Sequence, residues 1–146
     1  VPEAALATDF DTIQPGARAV IVKRFDEEAV AAFAALSGDY NPLHMDSEFA
    51  ERTKFGRRVV HGMLVASYVS TLVGMHLPGV GALWMQQSFR WRKPVFLGDT
   101  VEIVLEVTQK SPGARLLAIR ITATNQDGMA VMDGEGAVHV PALKTL

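Results

Sequence analysis

Asp39 and His44 are a carboxylate and an imidazole separated only by Tyr40, Asn41, Pro42 and Leu43. Proline fixes its own φ and steers the residue before it away from helix, so a tight, rigid turn can carry both side chains to one point. Such a pair suits proton transfer near neutral pH, because one group can take a proton while the other gives one. Adding water across an activated double bond is chemistry of this kind: a base deprotonates water and an acid protonates the carbon beside a carbonyl. The same residues also make good turn and capping chemistry, with His44 simply packed nearby, and their spacing leaves both readings open.

His61 and Gly62 stand at the entrance to an apolar stretch. If a helix opens there, its first backbone N–H groups lack partners and carry partial positive charge, so a thioester oxygen turning into an enolate would be stabilised beside them. Gly62, without a Cβ, permits close approach. The plainer alternative is that Gly62 allows tight packing and His61 caps the helix. His44, His61, His76 and His139 show no metal-ligand spacing, and the absence of cysteine excludes a thiolate zinc site, a disulfide framework and a cysteine nucleophile. Nothing in this spacing argues for a metal.

The elements that must position these residues follow from periodicity and turn chemistry. Weak alternation over 17–25 predicts a strand, and Asp26 is placed to cap a helix over 27–36 that Ser37-Gly38 ends. The polar stretch 39–58 reads as irregular, with room for a short helix over 47–52 opened by Asp46. The stretch 62–75 is apolar nearly all round, relieved only by small or hydroxyl residues such as Ser67, Ser70 and Thr71, as in a helix buried on most faces. Strands are predicted at 82–92, 100–109, 115–125 and 129–140, punctuated by Pro94, Leu97-Gly98-Asp99, Ser111-Pro112-Gly113 and Gln126-Asp127-Gly128. In the second of these, Val101, Ile103, Leu105 and Val107 share one face opposite Glu102 and Glu106. The expected fold is α+β: an antiparallel sheet wrapped around one long buried central helix, the hot-dog arrangement, as a single domain over 1–146.

Composition bounds the function. A chain of 146 residues can bury its own core, and 49% hydrophobic against 21% charged residues is a globular balance. A net charge of −2 without a Lys/Arg run argues against a nucleic-acid partner. From 59 to 89 there is no charged residue, yet the helix-compatible part extends only about 21 Å at 1.5 Å per residue, short of a ~30 Å hydrocarbon core. No membrane span is expected. The N-terminus lacks the pattern of an export signal, which with the missing cysteines fits a cytoplasmic location.

Taken together, 31–44 (Ala-Ala-Phe-Ala-Ala-Leu-Ser-Gly-Asp-Tyr-Asn-Pro-Leu-His), 60–67 (Val-His-Gly-Met-Leu-Val-Ala-Ser), Leu77-Pro78-Gly79 and 94–99 (Pro-Val-Phe-Leu-Gly-Asp) resemble the MaoC-like dehydratases, above all the (R)-specific enoyl-CoA hydratases of polyhydroxyalkanoate synthesis. The resemblance runs from about Arg24 to Pro141. It implies a homodimeric hot-dog enzyme, needing no metal or other cofactor, in which Asp39 and His44 activate one water, Asn41 orients the pair and the Gly62 N–H is the oxyanion donor. By the same resemblance Ser70, Val73 and Val138 line the acyl pocket, the first two because eight and eleven residues beyond Gly62 are close to whole helical turns. The implied substrate is an acyl-CoA thioester; an acyl-ACP thioester, as in a 3-hydroxyacyl-ACP dehydratase of fatty-acid synthesis, uses the same machinery. A thioesterase lacks a signature here, and a non-catalytic acyl-binding hot-dog subunit would have no chemical need for Asp39 and His44. Arg57, Arg58, Arg90, Arg92 and Lys93 are the cations available to CoA phosphates.

Overall fold

The computed structural model describes residues 2–142. After a 3-10 turn at Phe10–Thr12 come β1 (Arg18–Arg24) and α1 (Glu27–Ser37). The short helices α2 (Pro42–Met45) and α3 (Ser47–Glu51) lead to α4 (Gly62–Thr71), which continues as a π turn, Leu72–His76. Then follow β2 (Leu83–Gln87), β3 (Arg90–Trp91), β4 (Thr100–Ser111), β5 (Leu116–Asn125) and β6 (Ala130–His139). All strands belong to one antiparallel sheet in the order β1-β4-β5-β6-β2, with β3 also on β6. This is the predicted hot-dog arrangement. No helix among the described residues is long and apolar enough to cross a membrane.

The local signals explain these elements. Asp26 accepts from the Ala29 N–H at 2.9 Å and Asp46 from the Phe49 N–H at 3.1 Å, so both predicted caps form, each satisfying a donor that its helix leaves free. The stretch expected to be irregular is more ordered than its composition suggests: Pro42 at the first position of α2 and Asn41 as its cap start a helix that polarity alone conceals. The strand expected over 82–92 is broken at Ser88 and Phe89. There the chain presses against β6 so closely that a Cβ on Gly134 would lie 1.8 Å from the Ser88 carbonyl oxygen.

The core joins α4 to alternate residues of the sheet. Leu64, Val65, Ala66, Val69, Leu72 and Val73 are buried with Ile103, Leu105 and Val107 of β4 and Leu117, Ile119 and Ile121 of β5. One stripe of α4 is not covered: Met63, Ser67 and Ser70 are exposed, as is Gly74 beyond them. The sheet's two edges also differ. β1 carries exposed Val20 and Val22 among cations, Arg18, Lys23 and Arg24, whereas β2 presents exposed Leu83 and Met85 with no charge among them.

Candidate active site

The stretch 38–62 wraps back on itself so that its two ends meet. Asp39 sits in the turn after α1, its N–H donating to Ser37 Oγ at 3.1 Å and its Oδ1 accepting from the Asn41 N–H at 3.1 Å. Asn41 in turn caps α2, accepting from the Leu43 N–H at 3.0 Å, and α2 carries His44. Its backbone therefore fixes the carboxylate while its side chain starts the helix that holds the imidazole. His44 donates from Nδ1 to the Val59 carbonyl at 2.7 Å, and since that oxygen can only accept, the remaining nitrogen, Nε2, is left without a proton when the ring is neutral. That nitrogen lies 4.0 Å from Asp39 Oδ2, too far for a direct hydrogen bond and near enough for both to reach one small molecule.

His61 does not cap α4 with its side chain. It is 2% exposed, and its Nε2–H donates to the Asp39 carbonyl at 2.9 Å, while Nδ1 has no hydrogen-bond partner among the described residues. Its ring lies against that of His44, with centroids 4.0 Å apart, and against that of Phe33 at 4.9 Å. Sequence spacing gave no hint that Asp39, His44 and His61 would place a ligand-type atom each within 4.8 Å of one another. Each histidine spends one nitrogen on a backbone carbonyl and Asp39 Oδ1 accepts from a backbone N–H, which leaves His44 Nε2, His61 Nδ1 and Asp39 Oδ2 outside any hydrogen bond among the described residues. An imidazole and a carboxylate placed so can pass protons to and from one small molecule.

Gly62 is the first residue of α4, and its N–H has no acceptor among the described residues, as expected of a helix start. The indole of Trp91 lies directly on it, with Nε1–H donating to the Gly62 carbonyl at 2.9 Å. A Cβ at this position would be 2.7 Å from Trp91 Nε1, so only glycine fits without moving the ring. Trp91 was not foreseen from the sequence, where nothing connects it to a glycine so far back along the chain. Together with His44, Val65, Lys93 and Val95, these two residues line a cleft of about 350 Å³.

The expected acyl-pocket residues lie elsewhere. Val73 and Val138 are in the core at 3% and 0% exposure, Ser70 is on the open stripe of α4, and none of the three lines this cleft. Two of the phosphate candidates are already engaged. Arg92 makes a two-pronged contact with Asp133 (2.6 and 3.2 Å), whose hydrogen bonding holds the Asp133 carboxyl below its ordinary range and raises the guanidinium. Arg58 is spent on Glu27 and on the His44 carbonyl. Arg57 lies over the Phe96 ring at 3.9 Å, and Lys93 faces the cleft.

Comparison with known proteins places the chain in a family. The sequence pattern of the MaoC like domain matches residues 4–127. An (R)-specific enoyl-CoA hydratase of Aeromonas caviae is 42% identical over 130 residues, covering 89% of this chain and 97% of that one. Another, from Rhodospirillum rubrum, is 39% identical over 133 residues, covering 91% and 92%. The solved structure of the A. caviae (R)-hydratase involved in PHA biosynthesis superposes with a TM-score of 0.86 at 42% identity, over 89% of this chain and 98% of that one. With an Asp-x-Asn-Pro-x-His turn closing on the start of a helix held within one antiparallel sheet, the chain belongs to the MaoC-like dehydratase family.

Proposed function

We propose that this chain is an enoyl-CoA hydratase that converts trans-2-enoyl-CoA reversibly to (R)-3-hydroxyacyl-CoA. The observation that carries the reading is the approach of Asp39 Oδ2 to His44 Nε2, 4.0 Å apart, where His44 lines the same cleft as Gly62, whose N–H at the start of α4 has no acceptor among the described residues. A water held between the pair loses a proton to it as the hydroxyl adds to C3 of the enoyl group. The electron pair moves through C2 to the thioester oxygen, where the Gly62 N–H and the α4 N-terminus stabilise the enolate. The pair then returns a proton to C2, so the water is added in full and no redox partner is needed. Asp39 and His44 act as one coupled unit.

In this reading the acyl chain passes Val65 in the cleft and follows Val65 and Val69 on the buried side of α4 to Val73 in the π turn beyond it, with Val138 behind. Ser70 flanks the row from the open stripe. The protein works as a homodimer, because the uncovered stripe of α4 and the exposed apolar residues of the sheet's edge strands call for cover. A cysteine-free chain of this kind suits the cytoplasm.

Loss of enoyl absorbance from crotonyl-CoA, with chiral analysis of the product, tests the reading. Formation of the (R)-3-hydroxy thioester is expected; no hydration, or the (S) product, would overturn it. Running the ACP thioester in parallel separates a CoA enzyme, which turns over the CoA substrate faster, from an ACP dehydratase. Sedimentation of an active monomer at micromolar concentration would refute the dimer.

A further inference from the structure

We infer that Arg58 is a positioning residue for His44 and that Glu27, an exposed carboxylate on α1 remote from the cleft, acts through it. His44 belongs to a helix of four residues, too short to hold its own shape. Its end is satisfied from outside: Val59 N–H donates to the Leu43 carbonyl at 3.2 Å, and Arg58 Nε donates to the His44 carbonyl at 2.5 Å. A guanidinium at this end also answers the partial negative charge of the free carbonyls. Arg58 is itself gripped, because Nη1 and Nη2 each donate to one oxygen of Glu27, at 2.5 and 3.2 Å.

The contact has the marks of a built brace. The Arg58 side chain is 12% exposed although it is charged, and it uses Nε, Nη1 and Nη2 on two acceptors in different elements. Glu27 stands in the first turn of α1, where the helix dipole favours a carboxylate. The next residue after Arg58 supplies the Val59 carbonyl that receives His44 Nδ1–H. Arg58 and Val59 thus hold one histidine by its backbone and by its ring, and the ring hydrogen bond decides which nitrogen faces Asp39. Loss of the brace lets α2 shift against Val59, which misaligns Nε2 without removing any group that touches substrate. A lysine cannot replace Arg58, since a single ammonium does not span both acceptors in fixed geometry.

This inference rests on the hydratase reading for its kinetic arm only. Arg58→Met, which keeps the aliphatic stem, Glu27→Gln and the double variant are compared with the parent for crotonyl-CoA hydration. The His44 Nδ1–H proton resonance, identified by its loss in His44→Gln, is recorded for each. For Arg58→Met, kcat falls by about tenfold to a hundredfold with KM little changed, as expected for a misplaced catalytic group. The Nδ1–H signal shifts or broadens. Glu27→Gln moves both readouts the same way by less, and adds nothing in the Arg58→Met background. A folded Arg58→Met protein with parental kcat and an unmoved resonance overturns the inference. Should Arg58→Met fail to fold, Glu27→Gln decides, and parental values of both readouts there overturn it equally. If the parent does not hydrate crotonyl-CoA, the functional reading fails, and the resonance alone decides whether Arg58 sets the His44 ring.

Discussion

Between β4 and β5 the ladder runs from Val101 opposite Asn125 to Ser111 opposite Leu116, interrupted by one bulge near Val107. Backbone groups there pair with backbone groups, and side chains are left to fill the core. In the stretch 38–62 the division is reversed: Asp39, Asn41, His44, Arg58 and His61 side chains all bond to main-chain atoms, and the helices are four and five residues long. A sheet built on repetition tolerates loss of any one polar side chain, whereas the stretch 38–62 has its shape written into individual ones. Damage to the first region should therefore appear as lost stability, and damage to the second as lost catalysis.

The largest effect is expected at Asp39 and His44, the acid–base pair we propose. Asp39→Asn and His44→Ala should each lower kcat by about 10²–10⁴-fold while the melting curve stays near the parent's. Ile119→Ala, in the middle of β5 and 1% exposed, should do the opposite, costing about 2–5 kcal/mol of stability while folded enzyme keeps its turnover. Denaturant titration beside steady-state kinetics checks both, and a catalytic loss from Ile119→Ala as large as that from His44→Ala would dissolve the distinction. Next comes Gly62→Ala, whose new methyl must displace the Trp91 indole. About tenfold to a hundredfold loss of kcat is expected, partly restored by adding Trp91→Leu, and no restoration would mean that the indole is not what excludes a side chain there.

Val73→Ala probes the boundary between the two regions. If the acyl chain follows the Val65–Val69–Val73 row, kcat/KM should move toward longer enoyl-CoA substrates by ~1–3 kcal/mol relative to crotonyl-CoA. Equal loss at every chain length with a lowered melting temperature would place Val73 with the core alone. The smallest effect concerns Asp133. Its carboxyl is held below the ordinary range by the hydrogen bond from Arg92, so the pair stabilises the fold above the ordinary carboxylate pKa and loses that contribution as pH falls through the lowered value. Asp133→Asn should therefore reduce stability slightly at neutral pH and not at all in strong acid, as melting curves across pH would reveal.

The same division explains what could be read in advance. Alternation exposed β4 because Val101, Ile103, Leu105 and Val107 need no distant information to declare a buried face, and Asp26 and Asp46 announced their helices by local capping. The motif around Asp39 and His44 pointed to its chemistry through resemblance, and Gly62 through its place at a helix start. What escaped was every contact between residues far apart in sequence. Trp91 over Gly62, His61 beneath Asp39 and Arg58 behind His44 depend on how the chain closes, and no periodicity encodes that. The π turn escaped for another reason: 72–76 is as apolar as the helix before it, so hydropathy cannot tell one winding from the other.

The seat of Trp91 on Gly62 also gives the molecule an optical reporter of its own. There are two tryptophans, and Trp84 is half-buried with its indole N–H on Gln87 Oε1 at 3.1 Å, away from the cleft lining. Trp91, 48% exposed, forms part of the wall that a thioester would cover. Its emission should shift to the blue when the cleft fills and stop responding in Trp91→Phe, so occupancy can be followed without turnover, even in variants that have lost their chemistry.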